Sequence, residues 1–124
     1  MSKEKDTTRI DLSERLLDYG ANVIKLVESL PNNLIGKRIG DQLLRSGTSV
    51  GANYEEAQGA ESKKDFVHKL QIALKELRES FYWLKLLDRT KKSSKIELDF
   101  LIDEASQLRA ILSKAVATSK GKSK

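Results

Sequence analysis

Cysteine is absent from the chain, so neither a disulfide framework nor a thiolate metal site is available. One proline and an aromatic share of 6% argue against a β-rich fold and suit helices. No run approaches the roughly 18 apolar residues of a membrane-spanning helix. The opening stretch, MSKEKDTTRIDLSER, holds no apolar signal core. The expectation is a cytoplasmic protein with no membrane partner. A single histidine confines imidazole chemistry to one position, His68.

What is abundant is charge, at 33% of residues with a net +5. Much of the excess sits behind Glu104, the last acid, where Lys114, Lys120, Lys122 and Lys124 follow. The rest of the chain is close to neutral. At 124 residues one domain with one core is expected. We divide it into a flexible N-terminus over 1–10, a four-helix bundle over 11–118 and a basic flexible tail over 119–124. The tail reads as a solubilising terminus or as a phosphate-contacting arm.

Helical periodicity sets the bundle. Asp11 is the predicted N-cap of the first helix, with Glu14 completing an approximate capping box. Its stripe is Leu12, Leu16, Tyr19, Val23, Val27 and Leu30, widened by Leu17 and Ile24. Gly20 marks a close backbone approach, and Pro31 ends the helix. A second helix is predicted over 34–58, with Gly59 as its stop. Ser62 caps a third, whose main seam is Phe66, Leu70, Ala73, Leu77, Phe81, Leu84 and Leu87. A turn over 89–95 leads to a fourth, carrying Ile96, Leu98, Leu101, Ile102, Ala105, Leu108, Ile111, Leu112 and Ala115.

The second helix, IGKRIGDQLLRSGTSVGANYEEAQGA over 35–60, holds two adjacent ladders of opposite chemistry. Gly36, Gly40, Leu43, Gly47, Val50, Tyr54 and Ala57 form a small apolar stripe; Gly51 lies on the same side. Residues three and four apart share a helix face, so this stripe permits close helix packing. Ile35, Ile39, Gln42, Ser46, Ser49, Asn53 and Glu56 form a ladder that is polar through its middle. The third helix has a second seam too: Ile72, Glu76, Glu79, Trp83 and Leu86. Short connections make consecutive helices antiparallel, giving an all-α, up-down-up-down four-helix bundle. A lone bundle has no need of both seams on helices two and three, so the surplus points to homo-oligomerisation.

The run QLLRSGTSVGANYEEAQGAESKKDFVHKLQIALKELRESFYWLKLL, over 42–87, resembles the four-helix-bundle family of proteins encoded in intervening sequences of bacterial large-subunit ribosomal RNA. The resemblance rests on LLRS-x-T-S-x-x-x-N, KDF-x-x-KL-x-IALKE and YWL. That family is similar to the accessory variability proteins of diversity-generating retroelements, five-membered helical barrels that bind a reverse transcriptase and nucleic acid. The resemblance implies a bacterial, cytoplasmic, non-enzymatic bundle assembling as a homopentamer, with RNA or a reverse-transcriptase-like protein as partner and no cofactor. The sequence departs from the pattern at Gly47, Gly51 and Tyr54, a difference of packing and not of fold.

Several constellations invite chemistry. Glu55, Glu56, Glu61, Asp65, His68, Glu76 and Glu79 bring a di-iron bundle to mind, but such sites need a Glu-x-x-His pair on each of two helices. Glu76 and Glu79 form a conceivable acid/base pair with no nucleophile beside them. The reading we favour joins Arg45, Ser46, Ser49, Asn53 and Glu56 of helix two with Glu76 and Glu79 of helix three in a buried polar network or interface, since buried carboxylates persist only when paired. Gly36-Lys37-Arg38-Ile39-Gly40 lacks the ending and the preceding strand of a phosphate loop. Tyr82 and Trp83 are expected in the core or a subunit interface, with base stacking as the alternative.

Antiparallel topology gathers Lys37, Arg38, Arg89, Lys91, Lys92 and Lys95 at one end. Lys3, Lys5, Arg9, Lys63, Lys64 and the C-terminal lysines fall at the other. Repeated around a ring, these become basic rims for phosphates. The expected function is a non-catalytic homo-oligomeric scaffold that binds RNA or a nucleic-acid-processing partner through those rims. The alternative is a protein-binding adaptor with no nucleic-acid contact.

Overall fold

Pro31 separates the first two of four helices: α1 (Ser2–Glu28), α2 (Leu34–Gln58), α3 (Lys63–Thr90) and α4 (Lys95–Gly121). The computed structural model describes residues 2–90 and 95–121, with side chains from Leu12 onward. The side chains of the 1–10 segment lie outside the described residues, as do Lys91, Lys92, Lys122 and Lys124.

Local chemistry explains most boundaries. At the start of α2, Asn33 is extended and its Oδ1 accepts from the Gly36 amide at 2.9 Å. A polar N-cap of this kind stabilises a helix by about 1 kcal/mol. Ser62 does the same for α3, accepting from the Asp65 amide at 3.0 Å, as expected. The α2 span matches the predicted one. The start of α1 does not: helix continues through Asp11, because residues 2–10 contain no glycine or proline to stop it. Gly59 closes α2 at φ −96°, so its role there requires no left-handed backbone.

Each helix packs on its sequence neighbour, most extensively α2 on α3, and a sparser α1–α4 contact closes the ring. The core is drawn from all four, led by Leu16, Tyr19, Val23 and Leu26 of α1, Leu43 and Val50 of α2, Leu70, Leu77 and Leu84 of α3, and Leu98, Leu108 and Leu112 of α4. Burying a side chain of this size contributes about 1.5–3 kcal/mol. Leu26 is fully buried where Val27 was expected on the main stripe; Val27 and Leu30 pack against the core's edge. Leu17, Ile24, Ile96 and Ile111, all expected to be apolar-facing, are exposed.

Two glycines are required by close approach. A Cβ on Gly36 would sit 2.0 Å from the Pro31 carbonyl oxygen, so glycine lets α2 start directly beneath the proline turn. A Cβ on Gly47 would come within 2.9 Å of both Val23 γ-carbons. A Cβ on Gly40 would lie a tight 3.2 Å from Val27 Cγ1. Gly51 is different: a Cβ would meet Leu16 at an ordinary 3.5 Å, so the stripe's packing argument does not extend to it. A Cβ on Gly20 would lie 3.8 Å from Thr48 Cα, the backbone approach its position predicts.

The loosely packed α1–α4 side has its own clasp. Arg15 Nε and Nη2 donate to the two carboxylate oxygens of Glu104 at 3.0 and 2.9 Å, and Nη2 also reaches Gln107 at 3.3 Å. Such a two-pronged pair fixes orientation as well as distance.

Candidate functional site

The α2–α3 face carries the polar residues singled out above, and the structure joins three of them. Arg45 Nη1 donates to Glu76 Oε1 at 3.1 Å, and Nη2 donates to Glu79 Oε2. The same Glu79 oxygen accepts from Trp83 Nε1 at 3.0 Å, and Gln42 Oε1 accepts from Arg45 at 3.4 Å. Arg45, and then the Trp83 N–H, hold the Glu79 carboxyl below its ordinary range. Glu79 first and Glu76 second raise the Arg45 guanidinium.

Two corrections apply to the expected network. It is not buried: the Arg45 side chain is 47% exposed and those of Glu76 and Glu79 are 16% and 33% exposed. Nor do the other α2 residues reach the carboxylates. Ser46 Oγ donates to Gln42 O at 2.8 Å, Ser49 Oγ to Arg45 O at 2.7 Å, and Asn53 Nδ2 to Ser49 O at 2.9 Å. Short polar side chains in a helix find the carbonyl one turn back nearer than a partner across a groove. Glu56 turns instead to Lys69 at 2.9 Å, and it raises the Lys69 ammonium.

The ends of the bundle gather the basic residues as topology requires. At one end Leu87 shares a small cleft with Pro31, Gly36 and Ile39, which brings the end of α3 beside the start of α2. Lys37, Arg38 and Arg89 are exposed there and make no ion pair among the described residues. Lys95 is not free: it lies 3.1 Å from Asp99 and 3.2 Å from Asp88, and these acids raise it. Lys91 and Lys92 lie outside the described residues. At the other end Lys63, Lys64 and Lys120 line one open groove with His68 and Gln71.

His68 is solvent-exposed, and among the described residues no three His, Asp or Glu side chains gather to hold a metal ion. Tyr82, expected in the core or a subunit interface, lies outside the core of the single chain: it is 55% exposed, its ring meeting Trp83 edge-on at 5.1 Å. Trp83 is half-buried against the core. The sequence reading missed a second aromatic arrangement, in which Lys85 Nζ and Arg109 Cζ lie 4.4 and 5.1 Å from the Phe81 ring centroid. The Lys85 half was visible as an i, i+4 pair; Arg109 arrives from another helix.

These features define an all-α four-helix bundle with polar and basic outer faces and no helix, among the described residues, long and apolar enough to cross a membrane. The profile of the 23S rRNA-intervening sequence protein family matches residues 9–114, and the chain belongs to that family. A crystal structure of a protein of unknown function from the S23 ribosomal protein family of Bacteroides thetaiotaomicron is similar at 33% identity and a TM-score of 0.77. The alignment covers 85% of this chain and 97% of that one. No curated protein matches.

Proposed function

We propose that the protein is a non-catalytic scaffold which assembles with copies of itself and binds RNA through basic side chains at the ends of the bundle. The observation that carries this reading is the set of exposed cations without ion-pair partners among the described residues: Lys37, Arg38 and Arg89 at one end, Lys63 and Lys64 at the other. Three acids near these ends are already committed, Glu56 to Lys69 and both Asp88 and Asp99 to Lys95. Phosphates are a natural partner for exposed cations of this kind.

Self-assembly is supported by large apolar side chains left in water. Leu17 and Ile24 are one heptad apart on α1, and Ile96 and Phe100 are one turn apart on α4. Phe100 and Ile96 border an open groove with Leu26 and Asn22 of α1. We assign the exposed apolar faces of α1 and α4, rather than the α2–α3 seams, to contacts between copies, and take five as their number, which is what the family resemblance implies. Fluorescence anisotropy with a labelled RNA tests the binding claim. Binding at low salt should fall steeply as salt rises, and reversing Lys37, Arg38, Lys63 and Lys64 to Glu should weaken it. No binding at low salt would transfer the assignment to a protein-binding adaptor.

A further inference from the structure

The outer face of α3 joins the two basic ends. Alternating steps of four and three lead from Lys64 to Lys75, Arg78, Tyr82, Lys85 and Arg89, with His68 and Gln71 between Lys64 and Lys75. This ladder contains no acid, and all of its members except Gln71 are exposed. Residues at these steps form one continuous line along a helix. Over the 28 residues of α3 the helix is about 42 Å long.

The acids beside it pair with cations off the ladder, Glu79 feeling Lys75 only as a lesser influence after Arg45. Glu76 and Glu79 lie one position off the ladder on the side facing α2, where Arg45 takes both. Asp88 is held by Lys95. Lys75, Arg78, Lys85 and Arg89 make no ion pair among the described residues. Arg109 adds a cation from α4, converging with Lys85 on Phe81. Two like charges brought to one ring repel each other, and an anion between them relieves that repulsion.

One ladder member is not a cation. Tyr82 stands between Arg78 and Lys85 with more than half its surface in water, its ring steadied edge-on by Trp83. A purely solubilising face has no use for an exposed, pre-ordered aromatic ring; a strand with unpaired bases does, because every base can stack on it. We propose that the α3 face is a track for single-stranded RNA, with the ladder cations along the phosphates and Tyr82 under a base. The proposal rests on the RNA-binding reading above. It moves the main contact from the ends of the bundle to the side that joins them.

The test uses the full chain and a fluorescein-labelled 12-nucleotide oligouridine, read by anisotropy across a salt series. The combined Lys75→Glu, Arg78→Glu and Lys85→Glu reversal should weaken binding by more than tenfold and flatten the logarithmic salt slope by about 2, at roughly 0.7 per lost phosphate contact. Lys37→Glu with Arg38→Glu, off the ladder, should cost far less. Tyr82→Ala should weaken binding at least about fivefold, with Tyr82→Trp restoring it. Should the triple reversal reduce helical circular dichroism, the Gln versions of the same three positions replace it with the same expected direction. If the native chain binds but the ladder variants bind as well as it does, the track is wrong while RNA binding stands. If the native chain binds no RNA, both proposals fall. If polyglutamate competes as strongly as oligouridine and Tyr82→Ala has no effect, the face docks an acidic protein instead, and the track is equally overturned.

Discussion

Tyr19 and Ser80 meet in the middle of the bundle, their hydroxyl oxygens 2.7 Å apart and both side chains fully buried. Ser80 Oγ also lies 2.9 Å from the Leu77 carbonyl, to which it gives its only proton, so Tyr19 is the donor between the two. The bond links α1 to α3, two helices whose backbones are not in contact. It is a polar tie across an otherwise apolar part of the core.

That assignment predicts an asymmetry. Tyr19→Phe removes a donor and leaves Ser80 bonded to Leu77, a loss of about 1 kcal/mol. Ser80→Ala strands the tyrosine hydroxyl, at about 1–3 kcal/mol. Urea denaturation should rank Ser80→Ala as the more damaging change, and the double variant should lose less than the two singles together.

The same site sets an alkaline limit. Burial pushes the Tyr19 hydroxyl well above its ordinary value, with Glu104 adding to the shift against the opposing Ser80 bond. A raised folded-state pKa gives stability that is fully present below the unfolded value near 10 and is lost as pH climbs above it. Thermal unfolding should show a falling melting temperature above about pH 10, with a shallower fall in Tyr19→Phe.

Gly47 and Gly51 should separate under substitution. Gly47→Ala drives a methyl into Val23 and should destabilise, with Val23→Ala recovering part of the loss. Gly51→Ala meets Leu16 at ordinary contact distance and should stabilise by up to about 1 kcal/mol through helix propensity. Equal effects at both positions would show that α1 and α2 do not approach as described.

Arg45 pairs with two carboxylates but lies near half exposure, so Arg45→Ala should cost only about 0–1 kcal/mol, not the 3–5 of a buried pair. Because Glu79 is held below its ordinary value, its contribution is present above the unfolded carboxylate value of 4.5 and lost as pH falls through the lower folded one. Denaturation midpoints measured between pH 3 and 6 should fall less steeply toward acid in Glu79→Gln than in the native chain.

Much of the bundle was legible because its signals are local. Pro31 ends α1, Ser62 caps α3, and the Gly36–Gly40–Gly47 intervals mark a helix that propensity alone disfavours. The pairing of Arg45 with Glu76 and Glu79 was legible from two ladders on adjacent helices. Its exposure was not, since periodicity tells which residues share a face but not how deeply that face is covered. Ser49 and Asn53 escaped for a related reason: a carbonyl one turn back competes with any partner across the groove, and spacing does not show which wins. The Arg15–Glu104 clasp joins residues 89 apart in sequence, where no local pattern reaches. The α3 ladder was present in the sequence throughout. Its positive character depends on Arg45 taking the acids beside it, a pairing across helices that the α3 sequence alone does not show.

Native mass spectrometry of the full chain with single-stranded RNA, across increasing ammonium acetate, tests assembly and binding together. The account predicts one homo-oligomeric species, a pentamer, that carries RNA at low salt and releases it as salt rises while the oligomer stays intact. A monomer without RNA at the lowest salt would contradict it.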